Sequence, residues 1–489
     1  MLAGLVAAAP AALAFDPALE AKNFAKTQER LHYITLTPAF QARLQQQNAA
    51  SPGQDLHIQT TDPERNYTGN ICGHRTNECA GDVRFYDWAA DGYGIRRPVL
   101  FTARDGATIS GNVWATRSGP RKRPGIVLTT GSIQAPETLY WGLAATLAKH
   151  GYVVLTYDVQ GQGRSDTLGQ GADAQEGVPS QAGQPFYDGT EDGIDFLLST
   201  KKHPYEPRLS CGNANGGVGT SHAAKQNRRV RAGLDSAFNP LYRRVDPKRV
   251  GIAGHSLGAA AVSFVGQEDP RVDATVAWDN LSTPAGSMFG TPACPSAPAT
   301  RMTPPITKPA MGMSNDYSLV ATPYTSAPDP LGHNAGFAAY RAAGIDSMEV
   351  NIRGGTHYEY SFLPGNTLAY PLGAATLRGE DMAAWYSTAW FDRYVKCQGR
   401  PACQRRADRR LMTNRWRDDK LGGKVDVNHD PNLYSFYLRS QYSLHRASGR
   451  EVGCNDMRKG CASMAPNGRG GSYSFVADAD RPDKGSAGR

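Results

Sequence analysis

The 489-residue chain has no internal repeat, no Cys-x-x-Cys pair and no apolar run of bilayer-spanning length. A membrane helix needs about 20 consecutive apolar residues, so a stable membrane span is excluded, as is a solenoid. Without Cys-x-x-Cys, and with its histidines scattered, the chain offers no structural zinc site. The glycine-rich stretches "GQGRSD" and "GNANGGVG" are neither a Gly-x-Gly-x-x-Gly between strand and helix nor a P-loop, so no nucleotide cofactor is expected. "DVNHDP" (Asp426, Asn428, Asp430) echoes the start of a calcium loop. It has Pro431 where that loop needs glycine, and no later Glu completes it, so no metal is expected there. Charge of one sign is also sparse: Lys+Arg 53 against Asp+Glu 45 leaves +8. The densest basic run, "CQRRADRRLMTNRWR" (403–417), reads as a solvated helix face. Nucleic-acid binding would need a wider basic surface with interleaved aromatics, and no nucleic-acid partner is expected.

The composition that remains is that of a loop-rich globular protein: 40% hydrophobic, 20% charged, Gly 53 and Pro 32. At the N-terminus "MLAGLVAAAPAALAFDP" ends its apolar run in Ala12-Leu13-Ala14, a small-x-small cleavage pattern, so residues 1–14 read as a signal peptide. The basic residues that normally precede such a run are missing, which places the expected true start upstream. Eight cysteines support export. Six form close pairs, Cys72/Cys79, Cys397/Cys403 and Cys454/Cys461, which leaves Cys211 with Cys294. Spacing alone does not fix connectivity, but an even count of this kind points to an oxidising compartment and hence a secreted protein.

Residues 15–95 form a polar N-terminal extension with one short helical pattern near "ALEAKNFAKTQERL". From 96 to 396 the pattern becomes regular. "RRPVLFTARDGATISGNVWAT" alternates on both sides of Asp105-Gly106, a hairpin signal. "RPGIVLTTGS" and "YVVLTYD" are buried-strand runs separated by the helical "TLYWGLAATLAKHG". "DGTEDGIDFLLST" reads as a helix capped by Asp188. "KRVGIAGHSLGAAAVSFVG" is strand, turn and helix. "VDATVAWDN", "KPAMGMSNDY" and "DSMEVNIRGG" are further strands, "GFAAYRAAG" a helix, and "EDMAAWYSTAWFDRYV" a long amphipathic helix. This alternation predicts an α/β fold, a mostly parallel twisted sheet with helices on both faces. Segments 202–240 and 282–305 are irregular and are expected to be cap insertions over the site. Residues 397–489 read as a disulfide-clipped tail whose end is disordered.

The chemistry centres on "GHSLG". Gly-x-Ser-x-Gly is frequent by chance, but here it joins an apolar strand to a small-residue helix, the context of a nucleophile elbow at Ser256. A serine hydroxyl needs a base, and the base needs an orienting acid. His357, directly after the last buried strand, is the expected base; His255 is expected to point away from the hydroxyl. Two aspartates end strands between serine and histidine. Asp316 is the expected acid, because the loop after the penultimate strand is the more usual source; Asp279 is the alternative. The oxyanion donors are assigned to the backbone N–H groups of Leu257 and Ser132. Trp278, Tyr317, Tyr358 and Phe362 are candidates for an apolar substrate wall.

These pieces, "GIVLTTGS", "YDVQGQGRSD", "GHSLG", "GMSNDY" and "GGTHYEYS", resemble the α/β-hydrolase superfamily over roughly 96–396. Gln160 stands where Arg is common in the second of them. Within the superfamily the chain looks most like secreted bacterial serine esterases and lipases, in the dienelactone-hydrolase or cutinase-like polyester-hydrolase branch. The resemblance implies a cofactor-free serine hydrolase that cleaves a small-molecule or polymeric carboxylic ester through an acyl-enzyme. A peptidase on the same residues and a non-catalytic hydrolase-like binding protein are the alternatives.

Overall fold

A computed structural model describes residues 15–27, 38–74, 79, 82, 88, 92–132, 135–173, 183–210, 219–284, 303–362, 376–413 and 433–464. The expected signal peptide, the Cys211/Cys294 pairing, most of segment 282–305, "DVNHDP" and the end of the tail lie outside them.

The apolar runs become strands β1 (Gly94–Thr102), β2 (Thr108–Thr116), β3 (Arg123–Thr129), β4 (Val153–Tyr157) and β5 (Val245–His255), then β6 (Val272–Trp278), β7 (Ala310–Asn315) and β8 (Ser347–Ile352). Among the described residues these join β9 (Gln441–His445) and β10 (Glu451–Cys454) in one sheet of order β1-β2-β4-β3-β5-β6-β7-β8-β9-β10. From β4 through β8 every neighbouring pair is parallel. The hairpin β1–β2 and the β9–β10 ribbon close the two edges antiparallel. The sheet therefore does not stop at 396: two strands of the expected tail continue it.

Alternate residues of each central strand feed opposite cores, because successive side chains of a strand point to opposite faces. Ile126, Leu128 and Val154 pack with helices α3 (Trp141–Lys149) and α8 (Leu377–Phe391). Val127, Val153 and Leu155 pack with α4 (Gln184–Leu198) and α6 (Leu257–Glu268). Helix α8 is buried beyond one amphipathic face: Trp385, Tyr386, Trp390 and Phe391 are all shielded. Part of its outer side is covered by α9 (Pro401–Leu411), which Cys397–Cys403 ties to it. Truncating one of these aromatics to alanine would cost about 3–5 kcal/mol. Helix α4 starts at Gln184, one turn earlier than the sequence implies, and Asp188 is not its cap. Asp188 instead accepts from the Gln184 side chain and pairs with Arg104.

The remaining helices are α1 (Pro17–Ala25), α2 (Pro38–Thr61), α5 (Ala223–Arg231) and α7 (Ala335–Ala342). Cys72–Cys79 and Cys454–Cys461 are bonded at Cα separations of 5.4 and 5.5 Å, and no cysteine among the described residues is free. No helix of the described residues is long and apolar enough to cross a membrane.

The β1–β2 turn carries a pH-sensitive group. Burial pushes the Asp105 carboxyl up to about 7, against the Ala107 N–H it accepts, with Asp188 and Asp192 adding repulsion. Its folded pKa lies above the unfolded value of about 3.9. Its contribution is therefore fully present below pH 3.9 and is lost as pH rises through 7. Asp105→Asn keeps the acceptor and cannot ionise. Its melting temperature relative to wild type is expected to be several degrees more favourable at pH 8 than at pH 5. Equal offsets at both pH values would refute the assignment.

Candidate active site

Register brings the candidate residues together at the C-terminal ends of the central strands. Thr129 lies beside Gly254 and His255 beside Trp278, so the chain leaves β3, β5 and β6 at the same level. Ser256 follows β5 and takes φ 58°, ψ −120°, a backbone conformation that favours glycine. Its N–H is fixed to Trp278 O at 2.9 Å. The flanking glycines are steric requirements. A Cβ on Gly254 would lie 2.2 Å from Gly258 O, and one on Gly258 2.5 Å from Thr130 O. Ser256 occupies the N-cap of α6 without a side-chain cap bond, and it stays partly accessible. Leu257 is the first helical residue, where the backbone N–H has no intrahelical acceptor. Gly131 brings the loop after β3 against this turn: a Cβ there would stand 3.2 Å from Ser256 Cβ. Ser132 is the next residue and is partly exposed.

His357 sits in the loop after β8 and is held through Nδ1, which donates to Asp279 Oδ2 at 2.5 Å. The expected partner, Asp316, is elsewhere. Its carboxylate accepts from Gly354 N (2.7 Å), Asn23 Nδ2 (2.9 Å) and the Ser435 hydroxyl. Asp316 thereby joins α1, the β8 loop and the chain before β9 in one buried cluster. Asp279 reaches His357 because its backbone turns back at φ 54° directly after β6. The Ser314 hydroxyl of β7 donates to its other oxygen at 3.0 Å. Burial alone would raise the Asp279 pKa; the hydrogen bond and charge of His357 outweigh it and hold the carboxyl below its usual range. The bond to Nδ1 leaves His357 Nε2 as the open nitrogen. Among the described residues no hydrogen bond joins Ser256 Oγ to the His357 ring, a contact that commonly tightens only with substrate bound.

Three of the four expected wall residues are buried. Trp278 is fully buried, donates Nε1–H to Ser387 Oγ at 3.0 Å and stacks on Tyr360. Tyr317 is buried under α1, with its hydroxyl donating to Glu20 at 2.8 Å. Phe362 is buried beside Leu139 and Leu143. Tyr358 stays partly exposed, edge-on to His357 at 5.8 Å between ring centroids. Sequence reasoning passed over Ser314 and Tyr140. Ser314 had a usable signal: it lies two residues before Asp316, at the end of a strand beside β6.

Residues 126–237 match the family model Hydrolase_4, described as "Serine aminopeptidase, S33". That span runs from β3 through α5, in the strand order and parallel pairing already described. The chain has the α/β-hydrolase fold. The match ends before Ser256, so it covers the loop that carries Ser132 but not Ser256, Asp279 or His357. No curated protein sequence matches the chain significantly. Among solved structures, a ferulic acid esterase from Streptomyces cinnamoneus is similar at 16% identity and TM-score 0.38. The alignment covers 64% of this chain and 92% of that one. The family match supports a hydrolase; the fold by itself does not fix an activity.

Proposed function

We propose that this α/β-hydrolase is an exported serine hydrolase of carboxylic esters, small or polymeric, with Ser256 as nucleophile, His357 as base and Asp279 as acid. The observation that carries the reading is the 2.5 Å bond from His357 Nδ1 to Asp279, beside a strained serine between two obligatory glycines. Ser256 Oγ attacks the acyl carbonyl as its proton passes to His357 Nε2. Asp279 keeps the imidazole proton on Nδ1 and stabilises the imidazolium. The Leu257 and Ser132 N–H groups receive the oxyanion. His357 returns its proton to the leaving alkoxide, and water activated by the same base frees the acyl group. Tyr358 is the wall residue retained from the sequence reading. Three disulfides and the absence of free thiols among the described residues support an oxidising compartment.

The description of the matching family as a serine aminopeptidase favours a second reading, amide cleavage next to a free amine. Assaying p-nitrophenyl esters of graded chain length against aminoacyl p-nitroanilides separates the two. Ester turnover by wild type that vanishes in Ser256→Ala is expected. Turnover of anilides alone would assign the peptidase, and turnover of neither would refute both.

A further inference from the structure

His255 is nearly fully buried, and both of its ring nitrogens are engaged. Nε2 lies 2.7 Å from the backbone carbonyl of His357, and Nδ1 lies 2.7 Å from the Tyr140 hydroxyl. The Tyr140 oxygen in turn takes the Gly131 N–H at 3.1 Å. Chemistry fixes the direction of each bond. A carbonyl oxygen can only accept, so Nε2 carries the hydrogen. Burial, with the neighbouring His357, pushes the His255 pKa down to about 3, so the ring is neutral at working pH and Nδ1 is an acceptor. Tyr140 must then donate to Nδ1, leaving its oxygen to accept from Gly131.

The result is one uncharged chain: Gly131 N–H to Tyr140, Tyr140 O–H to His255, His255 N–H to His357 O. Its two ends are main-chain atoms of the segments that carry the oxyanion donor Ser132 and the base. His255 itself immediately precedes the nucleophile. A residue needed only for packing would require none of these three bonds, and an apolar side chain would fill the space without leaving polar atoms to satisfy.

We infer that Tyr140 and His255 are positioning residues that set the spacing between the oxyanion loop, Ser256 and the His357 loop. The inference rests on the serine-hydrolase reading. It predicts that loosening the chain loses transition-state stabilisation while ground-state binding survives. Misplacement of reacting groups by about 1 Å costs about 100-fold in rate. The chain has no charge of its own, so its removal leaves the Asp279–His357 pair intact.

The test uses the full chain with Tyr140→Phe, His255→Gln, His255→Ala and the Tyr140→Phe/His255→Ala double variant. The readouts are kcat, KM, melting temperature and affinity for phenylboronic acid. Ser256 Oγ adds to the boron of this probe while its proton passes to His357, giving a tetrahedral mimic of the transition state. Tyr140→Phe removes one oxygen only and guards against loss of folding. It is expected to lower kcat about 10- to 100-fold with KM within about threefold, and to weaken the boronate by a similar factor. His255→Gln, whose amide can still donate to His357 O, is expected to retain more activity than His255→Ala. The double variant is expected to lose no more than His255→Ala alone, because both act through one chain. Unchanged kcat and boronate affinity in Tyr140→Phe and His255→Gln would overturn the inference. So would a kcat loss that follows melting temperature while boronate affinity holds. Ser256→Ala, run alongside, separates the two levels of argument. If it turns over ester like wild type, the serine-hydrolase reading fails. If it is inactive while Tyr140→Phe is fully active, only the positioning role fails.

Discussion

Asp279→Asn is expected to lower kcat by about 10⁴-fold with little change in KM, the size of effect seen when a buried acid no longer holds the base in its working tautomer. Asp279 Oδ2 now accepts the Nδ1 proton of His357 at 2.5 Å, while Oδ1 accepts from Ser314. An asparagine there presents one acceptor and one amide donor to two donors. One of them must turn away, and the His357 ring is free to place its proton on Nε2, where it cannot take the serine proton. Asp316→Asn is expected to behave differently. The Asp316 carboxyl is fully buried, and burial raises its pKa against the bonds from Ser435, Gly354 and Asn23. An amide N–H₂ set among those three donors leaves at least one unsatisfied, a cost of about 1–3 kcal/mol. Stability should fall, read as a lower denaturation midpoint, with kcat per folded molecule within about threefold of wild type. Comparable kcat losses in both variants, or a loss at Asp316 alone, would return the acid role to Asp316.

The two aspartates also mark how far sequence could be read. Strands β3 to β8 were legible because central parallel strands, buried on both faces, are continuous apolar runs. The elbow was legible because its two glycines answer local steric demands. The acid was not, because Asp279 and Asp316 end neighbouring parallel strands and chain order suits either. What separates them is the backward turn at Asp279 and the capture of Asp316 by Asn23, 293 residues away in the chain. Asp279-Asn280 did carry a weak local hint, since Asp and Asn tolerate the left-handed region better than other side-chain-bearing residues. Helix α2 was missed because its polar Gln- and Ala-rich sequence, interrupted by Pro52, has no apolar stripe to read. Strands β9 and β10 were missed for their brevity. Trp278 and Phe362 were taken for a cleft wall because they lie near the site in sequence. Both side chains are buried instead, Trp278 in the core that supports the site, the commoner fate of large apolar residues.

Ser256 carries the largest expected effect of any side chain, and it joins activity to stability. Ser256→Ala is expected to reduce ester turnover by about 10⁵- to 10⁶-fold, since base, acid and oxyanion donors act as a unit with the nucleophile. Its fold should be unaffected, because the hydroxyl makes no cap bond and the Cβ that packs on Gly131 is kept. The backbone at this position remains strained in the alanine variant. A non-glycine residue held at φ 58°, ψ −120° costs about 1–3 kcal/mol. Ser256→Gly removes the nucleophile equally and relieves that strain, offset in part by glycine's greater freedom in the unfolded chain. The glycine variant should therefore be inactive yet more stable than the alanine variant by about 1 kcal/mol, read from denaturant midpoints at unchanged m. Equal midpoints would mean that the turn stores no strain, and appreciable turnover by either variant would remove Ser256 from the mechanism. An inactive but firmer protein is the outcome expected of a serine held against its own backbone preference by the sheet beneath it, in the position where its hydroxyl is needed.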